Sequence, residues 1–137
     1  MSASTVKLSA KRSGVYRAPR GVVGLTKQAK SENLAWLDLK LARVNDKQSL
    51  LAACAKQLKF PKGFGGNWDA LADCLRDLEW NIAAGYVLHV QGVEKFAKAA
   101  PDDYATALEI LRLAADYWKE KRTAFIALVD GADLQAF

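Results

Sequence analysis

Cysteine, histidine and long apolar runs are all scarce in this chain. Two cysteines in 137 residues, Cys54 and Cys74, do not make the disulfide framework of a small secreted domain and suit a reducing compartment. Each falls within a helical pattern beside apolar positions, where a thiol behaves as a small buried hydrophobe. The one histidine, His89, lies between Leu88 and Val90. It reads as a strand histidine satisfied by its neighbours, and no second imidazole is present for a zinc or catalytic cluster. No stretch approaches the roughly 20 apolar residues that span a bilayer. The longest apolar patch near the N-terminus, Val22 to Leu25, is shorter than a signal-peptide core, so a cytoplasmic location is expected. Walker loops, dinucleotide Gly fingerprints and nucleophile elbows are missing as well.

Acidic residues are absent from the first 31 positions, which hold Lys7, Lys11, Arg12, Arg17, Arg20, Lys27 and Lys30. The overall charge of +5 therefore conceals a leader of +7, leaving 13 bases against 15 acids, or −2, in the rest. The overall composition, 51% apolar and 26% charged, is that of an ordinary globular protein, and the length suits one domain with a real core. The division expected is a basic leader over residues 1–31, partly disordered or loosely docked as a strand around Val15 and Tyr16, and a domain over residues 32–137. Two readings of the leader stand side by side: a solubilising tail, and an arm that contacts nucleic acid weakly or touches the acidic face of its own domain.

Along the chain, residues 24–33 suit a short amphipathic helix. Leu37, Leu39 and Leu41 alternate with Asp38 and Lys40, the period of a half-buried strand. Asp46 can cap a helix whose stripe is Leu50, Leu51, Cys54, Ala55 and Leu58, ending before Pro61. The runs YVLHV after Gly85 and AFIALV before Asp130 lack polar alternation and suit central parallel strands covered on both faces. Between them, Asp102 after Pro101 can cap a long helix with Tyr104, Leu108, Leu111, Ala115 and Trp118 on one face. Three parallel strands near residues 34–43, 86–91 and 124–129, joined by helical crossovers, predict a small α/β domain. Since residues 34 onward hold all three, the domain is expected to fold without residues 1–30.

The most informative segment is FPKGFGGNWDALADCLRDLEW, residues 60–80. A Gly-rich turn leads to Asn67, a natural N-cap, and to a helix expected to run to Leu78. Trp68, Leu71, Leu75 and Leu78 recur at 3-4-3 spacing and face a core, while Asp69, Asp73 and Asp77 form an acidic stripe on the other side. Asp69 suits the first turn, where the helix dipole favours negative charge. Asp73 lies beyond it, four residues from a like charge, an arrangement that costs a few tenths of a kcal/mol. Two readings of the stripe stand at this point: an ordinary solvated helix face, and an edge meant to meet a positive partner, toward which the small local penalty leans.

This block, with Gly65, Asn67, Asp69, Ala70, Leu71, Asp73, Cys74 and Leu75 ungapped, closely resembles the signature of the barstar family, small intracellular inhibitors of microbial ribonucleases. The resemblance extends over the order of elements from about Leu34 to Val129. It implies a barstar-like sheet packed with helices, no cofactor and no metal, no catalysis, and a small basic secreted ribonuclease as partner. The acidic helix would occupy the place of substrate phosphates, with Asp73 as principal carboxylate, Asp69 supporting it and Asn67 at the interface. Phe64, Gly65, Asp77 and Trp80 complete the expected partner-binding set. Where the family's prototype carries aromatic residues this chain has Gly63 and Ala72, and Leu113 aligns with a glutamate, so the partner or its affinity is expected to differ.

Two other functions fit parts of the sequence. A nucleic-acid-binding module would use the basic leader and scattered aromatics, although Trp36, Tyr104 and Trp118 fall where they build a core. An enzyme would use Asp69 and Asp73 as a carboxylate pair or metal ligands, but two aspartates on an exposed helix edge lack the desolvated cleft that raises a pKa for acid–base work.

Overall fold

Residues 7–137 are described in a computed structural model of the chain. After a single 3-10 turn at Ala10–Arg12 come β1 (Gly14–Arg17), α1 (Val23–Ser31), β2 (Leu34–Lys40), α2 (Lys47–Gln57), α3 (Trp68–Leu75), β3 (Gly85–Gln91), α4 (Glu94–Ala99), α5 (Pro101–Glu120) and β4 (Ala124–Val129). The four strands form one sheet in the order β1-β4-β3-β2, and every pairing is parallel. Each strand but the first is preceded by a helical crossover, as parallel neighbours require.

Side chains alternate between the two faces of this sheet. Leu39, Tyr86, Leu88, Val90, Phe125, Ala127 and Val129 belong to the larger core under α2, α3 and α5. Val87, Ala124, Ile126 and Leu128 turn to the opposite face, where Leu8 and Ala29 are buried with them and Leu25, Trp36 and Phe137 pack around. Both central strands, β3 and β4, are buried along their length apart from Gln91, as their unbroken apolar runs imply.

The expected three-stranded sheet is corrected to four strands. The added strand comes from the leader: Gly14 pairs with Ile126 and Arg17 with Val129 in continuous parallel register. The sequence offers a docked strand around Val15 and Tyr16 only as one alternative, because the four residues of β1 hold just these two large apolar positions, too few for periodicity to place them in the sheet. The leader is tied down on either side of β1. Ser13 Oγ accepts the Phe125 N–H at 3.0 Å, the Leu8 N–H donates to Gln28 Oε1 at 2.7 Å, and the Arg17 N–H donates to the Gln135 carbonyl at 2.8 Å.

Helix starts follow local chemistry in two of three expected cases. Asp46 caps α2 in a reciprocal capping box with Ser49, and Asn67 caps α3. Asp102 does not cap α5: the helix begins at Pro101, with Ala100 as N-cap and Asp102 and Asp103 in the first turn. Proline is preorganised for that first position, and the two carboxylates suit the positive end of the dipole there. His89 is buried, with Nε2 2.8 Å from Asp130 Oδ1. Cys54 is buried and its thiol is pushed up to about 12 by loss of solvent. Cys74 is only partly covered.

Candidate functional site

The loop entering α3 is shaped by two glycines in the left-handed region, Gly63 at φ +93° and Gly66 at φ +68°, a conformation that side chains disfavour. Phe60 anchors this loop, with its ring 5.0 Å from Phe64 and 5.7 Å from Trp80. Asn67 then closes the turn, its Oδ1 accepting the Ala70 N–H at 2.7 Å. Losing that cap costs about 1 kcal/mol. Asn67→Ala is therefore expected to lower the melting temperature by about 3–5 °C in a thermal unfolding scan, and an unchanged midpoint would count against the cap.

Along the eight residues of α3 one face is core and the other solvent. Leu71 and Leu75 are each 3% exposed, whereas Asp69 and Asp73 are both exposed. The Asp73 side chain retains 74% of its accessible surface. Trp68 packs against the larger core, and Lys47 Nζ lies 5.3 Å from its ring centroid. At the helix C-terminus the Leu75 carbonyl, otherwise an orphan acceptor, receives the Trp118 indole N–H at 2.8 Å. The carboxylates thus stand on a helix held at both ends, an arrangement that reduces the ordering cost of any contact they make.

The expected continuation of the helix to Leu78 is corrected: α3 ends at Leu75. Leu78 is 2% exposed and sits at φ +52°, so its side chain reaches the core through a reversal of the chain. The Asp77 N–H bonds back to the Cys74 carbonyl in a tightened turn. Asp77 remains exposed but belongs to this turn, so the helical stripe consists of Asp69 and Asp73. The negative charge is still felt locally. Burial raises the Cys74 thiol pKa, and Asp77 and Asp73 raise it further.

Among the other expected contact residues, Gly65 is exposed and Phe64 is partly buried against Phe60. Trp80 is partly buried and donates its indole N–H to the Leu58 carbonyl at 3.1 Å, which commits its polar end inward. Gly63, Ala72 and Leu113 offer no aromatic or acidic group; Leu113 lies exposed on α5. Sequence reasoning missed Arg76, which caps α3 at its C-terminus and donates from Nη2 to Asp73 Oδ1 at 2.8 Å. The i,i+3 spacing of the two residues was the available signal.

Metal and cleft chemistry find little footing at this edge. Among the described residues no group of three or more His, Cys, Asp or Glu side chains is placed to hold a metal ion. An apolar cavity of about 40 Å³ lies on the inner side of α3, lined by Leu71, Leu75, Leu88 and Leu108 among others, and neither Asp69 nor Asp73 reaches it. Four of the leader bases have identifiable surroundings: Arg12 lies over the Phe137 ring at 4.4 Å, Arg17 donates to the Leu134 carbonyl, and Lys7 and Lys27 border an open groove beside α1. No described helix is long and apolar enough to cross a membrane.

A family model described as Barstar (barnase inhibitor) matches residues 34–130, a span that contains α3 and three of the four strands. Comparison with curated proteins finds no match.

Proposed function

We propose that this chain, which belongs to the barstar family, inhibits a small basic microbial ribonuclease by seating the outer edge of α3 in the nuclease active site. The observation that carries the reading is the pairing of exposed Asp69 and Asp73 with buried Leu71 and Leu75 on one short helix. A nuclease that cleaves a phosphodiester must hold an anion with cationic side chains and N–H donors. Carboxylates on a rigid edge supply the same charge without a cleavable bond. Asp73 enters the anion site, Asp69 supports it, and Asn67 and Gly65 meet the rim through the loop that precedes the helix, with Phe64, Asp77 and Trp80 at the periphery.

On this reading the chain is a stoichiometric binder, not an enzyme. It needs no cofactor or metal, and it acts in the cytoplasm of a bacterial cell on an enzyme whose active form works outside. The local negative charge of Asp69, Asp73 and Asp77 steers a basic partner to the α3 edge despite the chain's overall charge of +5, while surface charges are screened as salt rises. Barnase is the natural probe. Equimolar protein is expected to suppress its hydrolysis of RNA, to co-elute with it in size-exclusion chromatography, and to associate more slowly as ionic strength increases. Full nuclease activity in the presence of excess chain would refute the assignment for that enzyme class.

A further inference from the structure

The carboxylate that matters most in this reading is not free. Arg76 folds back along α3 from its C-terminal end. Nη2 donates to Asp73 Oδ1 at 2.8 Å, and Nε donates to the Ala72 carbonyl at 3.2 Å. The guanidinium is thus held by backbone as well as by carboxylate. A cation there also suits the negative end of the helix dipole. With 46% of its side-chain surface accessible, Arg76 stands on the same exposed rim as its partner, and three of its five N–H groups have no acceptor among the described residues. Asp69, Asp73 and Asp77 together would present −3 to an approaching nuclease; with Arg76 among them the rim presents −2.

We infer that Arg76 is a specificity-determining residue of the inhibitory edge: it holds Asp73 in an internal ion pair that a nuclease cation must displace before the carboxylate can enter the anion site. The inference rests on the reading of α3 as the inhibitory edge. It selects among ribonucleases. A nuclease whose site is cationic throughout meets Arg76 as a like charge, which is costly once water is excluded. A nuclease with a carboxylate of its own beside the anion site recovers part of that cost by accepting the displaced guanidinium, so the size of the penalty differs between nucleases while the opening of the ion pair is common to all. Arg76 acts on the partner through Asp73 and through its own charge, and its exposed pairing and favourable place at the helix C-terminus add little to the stability of the fold.

The test measures inhibition and association rates with barnase for the full chain and for Arg76→Ala, Arg76→Lys, Asp73→Ala and the double variant Asp73→Ala/Arg76→Ala. Arg76→Ala is expected to bind about tenfold more tightly than the unmodified chain, with a faster association at low salt. Arg76→Lys, which keeps the charge, is expected to stay within about threefold of it. In the Asp73→Ala background, removal of Arg76 is expected to change affinity by no more than about threefold, because only the long-range charge remains. Melting temperatures are expected to agree within about 2 °C, since both side chains are exposed. Three outcomes overturn the inference: Arg76→Ala no tighter than the unmodified chain, Arg76→Lys as tight as Arg76→Ala, or an equal gain with and without Asp73. If the unmodified chain inhibits and Asp73→Ala abolishes inhibition while Arg76→Ala changes nothing, only the role of Arg76 falls. If none of the proteins inhibits, Arg76→Ala included, the reading of α3 falls with it.

Discussion

Replacing Asp73 with alanine is expected to remove tight inhibition of a barnase-type ribonuclease while leaving the melting temperature almost unchanged. The two halves of that result come from different parts of the structure. Asp73 is highly exposed and, among the described residues, its side chain pairs only with the neighbouring Arg76, a surface pair worth about 0–1 kcal/mol to stability. In a complex the same carboxylate would be desolvated against nuclease cations, and deleting one member of a buried charge pair costs about 3–5 kcal/mol, about two to three orders of magnitude or more in dissociation constant. Alanine also leaves Arg76 without its counter-ion at the rim. Asp69→Ala is expected to be milder for inhibition and slightly more costly for stability, because Asp69 occupies the first turn of α3, where the dipole rewards negative charge. Inhibition constants measured at protein concentrations near the dissociation constant decide the matter. Equal inhibition by the unmodified chain and Asp73→Ala would remove Asp73 from the interface.

Deleting residues 1–31 is the second change with a large expected effect, and here the target is the fold. The deletion removes β1 and α1 with it. Val87, Ile126 and Leu128 are fully buried in the cluster that Leu8, Leu25 and Ala29 help to cover, and fully burying such a side chain is worth about 1.5–3 kcal/mol. Exposing three of them even in part threatens most of the roughly 5–15 kcal/mol that holds a domain together. The same cut frees the edge of β4, an entirely apolar strand, for pairing with other chains. Residues 32–137 alone are therefore expected to melt at least about 10 °C lower or to aggregate, as read by thermal unfolding and size-exclusion chromatography. A truncated chain that is monomeric and melts with the full chain would establish the leader as dispensable, the outcome that the sequence by itself favours.

How legible these features were depends on how local the interactions are. The acidic edge, the Asn67 cap and the buried face of α3 follow from spacing within a dozen residues, and the two central strands announce themselves by unbroken apolar runs. Helix ends were harder. The 3-4-3 pattern of Trp68, Leu71, Leu75 and Leu78 fits a helix throughout, yet Leu78 reaches the core by a left-handed turn, which removes Asp77 from the helix. Periodicity reports that a residue is buried without reporting the backbone path that buries it.

The amino-acid sequence by itself determined the parallel α/β class, the order of its central elements, the family signature in residues 60–80 and the separation of a basic leader from a mildly acidic remainder, because each is written in residue type and short-range spacing. Only the tertiary structure decided that Gly14–Arg17 completes the sheet beside β4, that leader residues close its second face, and that Arg76 folds onto Asp73. The first joins residues more than a hundred positions apart and the second residues far separated along the chain, where no periodicity connects them. The third is a local contact that the i,i+3 spacing permits without fixing, and only the side-chain geometry shows the guanidinium turned back along α3 to the carboxylate.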